Sequence, residues 1–250
     1  MKFFRAKQGR KKGKPLSFRQ IAPNMVTSGN LLCGMFSLIL AFHGRYMPAA
    51  WMIFFAVIFD GLDGKVARSL GGGSQFGLEF DSLADLVSFG VAPGMMIYMA
   101  SLSGFGGITG AMAVCFFALS VALRLARFNV IHVPGPFQGL PSPAGGLFVA
   151  SFVLAKVPLE PLLMTCILVF TGLLMISSVP YANLKKLNRE SADRKKCLLV
   201  LGVLPLSFAL FLRGAAPLAM FAIYIVSGLL RFDWGEWLLL PTTSAEEHVH

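Results

Sequence analysis

The chain is built from long apolar stretches separated by short polar segments. Several of these stretches approach the length of about 20 residues that a membrane-spanning helix needs. The pattern predicts about eight spanning helices, at roughly 25–44, 46–67, 82–102, 107–130, 142–157, 160–180, 197–213 and 215–232. The fifth stretch is short and follows a segment rich in proline and glycine, so we expect a tilted or half-buried helix there. We therefore predict an all-α, polytopic membrane protein.

Composition supports this fold class. Charged residues make up 14% of the chain and hydrophobic residues 56%, whereas a soluble domain has roughly 25% charged residues. The four cysteines are single and form no CxxC pair, which argues against disulfides and zinc sites.

The basic residues are concentrated beside the apolar stretches. The net charge is +10, and eight of the 22 Lys and Arg residues lie in 1–24 and six in 185–196. This placement indicates cytoplasmic loops and anionic lipid headgroups rather than nucleic acid. We expect a basic cytoplasmic or interfacial segment at 1–24, one transmembrane domain at 25–232 and a tail at 233–250, with both termini on the cytoplasmic side of the inner membrane.

One polar stretch, residues 60–85, carries four aspartates between two apolar runs, in the sequence DGLDGKVARSLGGGSQFGLEFDSLAD. Residues three, four and seven apart share a helix face. Two faces thus combine carboxylates with small residues: Asp60, Asp63, Gly64 and Ala67 at the end of the second span, and Gly77, Asp81 and Asp85 at the start of the third.

Four carboxylates at a membrane boundary need positive charge nearby. An ionised carboxylate at the bilayer centre costs about 2.5–3.5 kcal/mol, and less near the interface. Two divalent cations would neutralise the four charges, and carboxylate oxygens are the ligands that Mg²⁺ and Mn²⁺ prefer. Paired metals beside a glycine-rich loop favour phosphoryl-group chemistry. On these residues alone, helix caps with surface charges, or an ion pathway of a transporter, remain alternatives.

The spacing D-x2-D-G-x2-A-R-x8-G-x3-D-x3-D resembles the motif of the CDP-alcohol phosphotransferases, membrane enzymes that build phospholipid headgroups. The resemblance implies a six-helix catalytic core with extra C-terminal helices. It also implies two Mg²⁺ or Mn²⁺ ions held by Asp60, Asp63 and Asp81, with Asp85 near the metals as the general base. The residues implied to surround the CDP moiety are Asp63, Gly64, Ala67, Arg68 and Gly77.

Four further segments resemble the phosphatidylserine synthase branch of that family: PNMVTSGNLLCG (23–34), ADLVSFGVAPG (84–94), RLARFNV (124–130) and FQGLPSPAGG (137–146). The resemblance implies transfer of a phosphatidyl group from CDP-diacylglycerol to L-serine, with CMP released, by a homodimer. A sibling enzyme acting on glycerol phosphate or an inositol phosphate, or an archaetidylserine synthase, is the alternative.

The residues that contact the acceptor are less sharply indicated. Arg124 and Arg127 could bind the serine carboxylate or the lipid phosphate, or simply follow the positive-inside rule. Asn24, Thr27 and Asn30 form a polar face where the first span begins. Their side chains could contact the headgroup or form hydrogen bonds between helices.

Overall fold

The computed structural model describes residues 18–71, 74–104, 108–130, 137–181 and 213–230, and within these ranges the chain is almost entirely helical. The helices are α1 (Phe18–Phe42), α2 (Tyr46–Ser69), α3 (Gln75–Leu102), α4 (Ile108–Val130), α5 (Ser142–Leu154), α6 (Pro161–Ile176) and α7 (Ala216–Leu229). A 3-10 turn, Arg213–Ala215, precedes α7. Two two-residue strands, β1 (Phe137–Gln138) and β2 (Pro180–Tyr181), pair antiparallel.

Four helices are long and apolar enough to cross a membrane. Their spanning parts are Ala22–Phe42, Tyr46–Ser69, Gln75–Leu102 and Ile108–Val130, with mean hydropathies between 1.4 and 2.0. Large apolar side chains such as Phe36, Trp51 and Leu119 are exposed on their outer faces. Such faces suit lipid acyl chains, and the chain is a membrane protein as the sequence predicts.

The predicted segments differ from the helices mainly at their ends. Helix α1 begins at Phe18 rather than at 25, and α3 begins at Gln75 rather than at 82. The predicted segments 142–157 and 160–180 correspond to α5 and α6, which are shorter than a full span. The predicted segment 197–213 lies almost wholly outside the described residues. Most of segment 1–24 and all of the tail 233–250 also lie outside them.

Helices α1 and α2 form a hairpin closed by a three-residue turn. Gly44 in this turn has φ +72°, a left-handed conformation that favours glycine. Along α2, alanines at positions 49, 50 and 56 and Ile53 are fully buried, so the backbones approach closely. The Ser37 hydroxyl donates to the Ala49 carbonyl oxygen over 2.9 Å, which satisfies a polar group inside the apolar interface.

Helix α3 is irregular in its middle. Ser74 caps its first turn by accepting a hydrogen bond from the Gly77 backbone N–H at 3.0 Å. Two wider π-helical stretches, Leu86–Val91 and Tyr98–Leu102, flank a regular turn that contains Pro93. Because proline lacks a backbone N–H, the ordinary helical hydrogen-bond ladder cannot continue unchanged through this region. The first wide turn directly follows Asp85.

The later helices complete the core around α3. Helix α5 is buried almost all round, with Gly146 packed on the backbone of Phe89. Helix α4 packs on α6, where Gly172 lies against Ser120 and Phe116. The buried Tyr181 ring lies against Gly228 and so joins β2 to α7. Helices α4 and α5 thus lie beside the part of α3 that follows the aspartates, and α7 packs on α5.

The closest approach of α1 to α3 depends on Gly34. A Cβ atom at this position would lie 2.5 Å from the Ser88 hydroxyl oxygen and 2.9 Å from the Ser88 Cα atom. We predict that Gly34→Ala lowers the melting temperature of the detergent-purified protein, because overpacking of this kind costs about 1–3 kcal/mol.

Gly61→Ala is the matched control for this change. Gly61 also lies within a helix, but a Cβ atom there would meet nothing within 4 Å. The helix propensity of alanine should therefore leave its melting temperature unchanged or higher. Equal melting temperatures for Gly34→Ala and the wild type would contradict the close packing of α1 on α3.

Candidate active site

Three aspartates from two helices converge near one end of the spans. Asp60 and Asp63 lie in the second half of α2, and Asp81 lies near the start of α3. One carboxylate oxygen from each lies within 4.8 Å of the others. Two ionised carboxylates at this separation repel each other by about 3 kcal/mol at an effective dielectric constant of about 20. The arrangement is therefore costly unless positive charge joins it.

Asp85 lies one turn beyond Asp81 and is more deeply placed. Its side chain is 7% exposed, and it interacts electrostatically with the other three aspartates. It is not a member of the group of three whose oxygens lie within 4.8 Å of one another. The structure thus brings the four predicted carboxylates into one neighbourhood, with Asp85 set apart at its buried side.

The polar face of α1 supplies hydrogen bonds to the buried aspartates. The Thr27 hydroxyl donates to Asp63 Oδ2 at 2.9 Å, and Asn30 Nδ2 donates to Asp85 Oδ1 at 2.9 Å. The Asn30 carbonyl oxygen in turn accepts a hydrogen bond from the Ser88 hydroxyl. The Thr27 and Asn30 side chains therefore form hydrogen bonds between helices, which is one of the two possibilities that the sequence left open.

A cleft of about 230 Å³ opens beside the group of three aspartates. Its lining comes from α1, α2 and α3 together: Pro23, Asn24, Thr27, Asp63, Gly64, Ala67, Arg68, Ser74, Gly77, Leu78 and Asp81. Every residue that the motif resemblance implied around CDP is in this lining. Asn24, a candidate headgroup contact, lines it too.

The two glycines of the cleft have different surroundings. At Gly77 a Cβ atom would lie 3.0 Å from Asn24 Oδ1, so the glycine permits close approach of α1 and α3. At Gly64 the nearest atom to such a Cβ would be Arg68 Nη1 at 3.6 Å. The Arg68 guanidinium therefore extends back one turn along α2 and lies beside Gly64, which has no side chain to occupy that space.

The two candidate arginines of α4 differ sharply in exposure. Arg124 is 7% exposed, whereas Arg127 is exposed. Arg124 Nη1 donates a 2.8 Å hydrogen bond to the hydroxyl of Ser142, the first residue of α5, and its guanidinium lies over the Phe128 ring. Helical spacing alone does not separate these two residues, because it says nothing about which neighbours cover them.

Residues 20–184 match the CDP-alcohol phosphatidyltransferase family, a range that includes α1 to α6 and the whole aspartate motif. The chain belongs to this family. The resemblance inferred from the motif is thereby confirmed. Because the family consists of enzymes that transfer phosphatidyl groups, its membership argues against the transporter alternative.

Several bacterial and archaeal relatives carry the name CDP-diacylglycerol–serine O-phosphatidyltransferase. The one from Helicobacter pylori (strain 26695) is 35% identical over 236 residues, covering 90% of this chain and 94% of the relative. The one from Methanocaldococcus jannaschii is 38% identical and covers 62% and 71%, respectively. The one from Bacillus subtilis is 33% identical and covers 68% and 95%. The predicted branch of the family is confirmed by these matches.

Members of this phosphatidyltransferase family depend on divalent metals, and the aspartate group fits such an ion. Two oxygen ligands on one Mg²⁺ are at most about 4.2 Å apart, since each bond is about 2.1 Å long. The observed limit of 4.8 Å is within a small side-chain adjustment of that value. All three donors are carboxylates, the hard ligands that Mg²⁺ and Mn²⁺ favour.

Several residues around the site were not predicted from the sequence. Ser74 and Leu78 line the cleft, and Ser88 supports Asn30. Ser142 lies within the quoted segment FQGLPSPAGG, so a sequence signal existed for it. Tyr224 lies inside an apolar run, and nothing in the sequence indicates that it comes near enough to Arg124 to interact with it electrostatically.

We predict that EDTA lowers the melting temperature of the protein and that Mn²⁺ or Mg²⁺ restores it. A ligand that binds only the folded state at 100 times its Kd stabilises it by about 2.7 kcal/mol. Asp81→Asn should abolish most of this metal-dependent shift, because it removes one of the three clustered carboxylates.

Glu79→Gln is the control for the metal prediction. It removes the same charge from the same helix, but Glu79 lies outside the cluster and accepts a hydrogen bond from Asn129. It should retain the full shift. Equal shifts in both variants would exclude the aspartate group as the metal site.

Proposed function

We propose that this protein transfers the phosphatidyl group of CDP-diacylglycerol to the hydroxyl of L-serine, giving phosphatidylserine and CMP. One observation carries the proposal: a buried aspartate, Asp85, adjoins three clustered carboxylates, and two of these, Asp63 and Asp81, line an open cleft. The serine acceptor comes from the relatives, which carry that activity in their names over most of this chain's length.

Asp85 is the general base of the proposed reaction. Asn30 holds Asp85 Oδ1 at 2.9 Å, which orients the carboxylate and leaves Oδ2 to accept the proton of the serine hydroxyl. The new bond forms between the serine oxygen and the lipid-side phosphorus. The bond between that phosphorus and the CMP oxygen breaks, the electron pair leaves with CMP, and the serine proton goes to Asp85.

The cleft holds the CDP moiety in this proposal. Gly64, Ala67 and Gly77 leave room for it along the two helices, and the Arg68 guanidinium suits a phosphate oxygen. Asp60, Asp63 and Asp81, with Asp85 beside them, would hold two Mg²⁺ or Mn²⁺ ions. When bound, these ions supply positive charge for the pyrophosphate and the departing CMP. Catalysis then consists mainly of positioning and electrostatics.

The proposal includes a topology and an assembly. It has about eight spanning helices in one catalytic domain at 25–232, between a basic segment at 1–24 and a tail at 233–250. Both termini and the active site lie on the cytoplasmic side of the inner membrane. Lys65 and Arg68 at the end of α2 support this orientation through the positive-inside rule. The proposal also includes the homodimer that the family resemblance implies.

The acceptor is tested by incubating the purified protein with CDP-diacylglycerol, Mn²⁺ and one alcohol at a time. The panel consists of L-serine, glycerol 3-phosphate, inositol 1-phosphate and water alone. We expect CMP release that requires L-serine and saturates with it. Release that is independent of serine but dependent on another alcohol would replace the proposed acceptor.

The base is tested by Asp85→Asn, which keeps the side-chain shape but cannot accept the proton. We expect kcat to fall by about 10²–10⁴-fold, the usual contribution of a positioned base. Glu79→Gln should retain kcat. CMP formation at the wild-type rate in Asp85→Asn would eliminate this residue as the base.

A further inference from the structure

A second polar cluster lies next to Asp85, away from the cleft lining. Its centre is the Arg124 guanidinium, which donates to Ser142 and lies over Phe128. Tyr224 of α7 is near enough to interact electrostatically with Arg124, and the Tyr181 ring lies 5.5 Å from that of Tyr224. Helices α4, α5 and α7 and strand β2 all contribute to this cluster.

The cluster contains buried polar atoms that lack partners. Within the described part of the chain, no hydrogen-bond partner is found for Arg124 Nε or for the Tyr181 hydroxyl. Both Arg124 and Tyr181 are more than nine-tenths buried. Leaving such a donor unsatisfied costs about 1–3 kcal/mol, and more when the group is charged. Their retention therefore points to a ligand that supplies the missing acceptors.

The charges around Arg124 indicate what kind of ligand this is. Asp85 and Tyr224 both interact with it electrostatically. Asp85 in turn interacts with Asp60, Asp63 and Asp81 of helices α2 and α3. Asp85 thus interacts both with three other carboxylates and with one guanidinium. An anion is favoured beside the guanidinium and disfavoured beside the carboxylates.

We propose that Arg124, with Ser142 and Tyr224, binds the carboxylate of the amino-acid acceptor; this inference rests on the proposed function. The acceptor hydroxyl must reach Asp85, and in serine the carboxylate is only two carbon atoms away from that hydroxyl oxygen. A guanidinium with a free Nε edge offers paired N–H donors that match a carboxylate. The site would then select amino acids over neutral alcohols.

Two residues of this cluster lie in segments that resemble the phosphatidylserine synthase branch. Arg124 belongs to the segment RLARFNV, and Ser142 belongs to FQGLPSPAGG. The 2.8 Å hydrogen bond between their side chains joins the two segments directly. Arg127 is exposed whereas Arg124 is buried, so the inference separates the two arginines that helical spacing groups together.

The test compares L-serine with ethanolamine, which is serine without its carboxylate. For Arg124→Ala we expect kcat/KM for L-serine to fall by about 30-fold or more, the usual effect of truncating one partner of a buried charge pair. The KM for CDP-diacylglycerol should stay within about twofold of the wild-type value, and the rate with ethanolamine should not fall.

Two further variants complete the experiment. Arg124→Lys keeps the charge but loses the paired donors, so it should raise the KM for L-serine even if Arg124→Ala does not fold. Arg45→Ala removes an exposed arginine from the turn before α2 and should match the wild type throughout. A melting temperature that still rises with Mn²⁺ shows that each variant retains the folded aspartate group.

Each of the following results would overturn the inference. A raised KM for CDP-diacylglycerol would make Arg124 a lipid-phosphate contact. A lower kcat with unchanged KM for L-serine, or an equal loss with ethanolamine, would make it a residue that acts on Asp85 alone. Wild-type kinetics in Arg124→Ala would give it no role in the acceptor site. If the wild-type protein shows no serine-dependent CMP release, the proposed function and the inference both fail. If the wild type is active and only the Arg124 results disagree, the inference alone fails.

Discussion

Mutual repulsion among four carboxylates is the constraint on which the rest of this structure depends. Each helix that carries a pair of them, α2 or α3, would be driven apart from the other in a medium of low dielectric constant. Helix α1 opposes this separation, because Thr27 and Asn30 donate one hydrogen bond to each side. The close packing at Gly34 brings α1 near enough to do so. The apolar interface thus holds together a charge distribution that becomes balanced only with cations present.

This constraint also explains why the site lies between helix ends. Near the membrane boundary, water and headgroups lower the cost of an exposed carboxylate, as they do for Asp60 and Asp81, which are only partly buried. Asp63 and Asp85 are deeper, and these two receive the hydrogen bonds from α1. The two carboxylates that are buried from water therefore receive hydrogen bonds from side chains of α1.

Much of the fold and of the acidic half of the site could be predicted from the sequence. Hydropathy located the long spans, and the three- and four-residue spacing of the aspartates placed them on facing helices. Helix ends were predicted less well, since α3 begins within the glycine-rich segment, where Ser74 supplies a cap that composition does not reveal. The contact of Arg124 with Ser142 depends on how two consecutive helices pack, and its proximity to Tyr224 depends on a helix far along the chain. No local pattern encodes such a contact.

The order of these parts along the chain has a consequence for how such an enzyme can diversify. The cleft, the clustered aspartates and the base all come from residues 23–85, a single contiguous stretch. The groups assigned to the acceptor come mainly from residues 124–224, on separate helices. A change of headgroup could therefore arise in the second part while the first part keeps the chemistry intact. The residues of the chemistry and the residues assigned to the acceptor are in this sense separate along the chain.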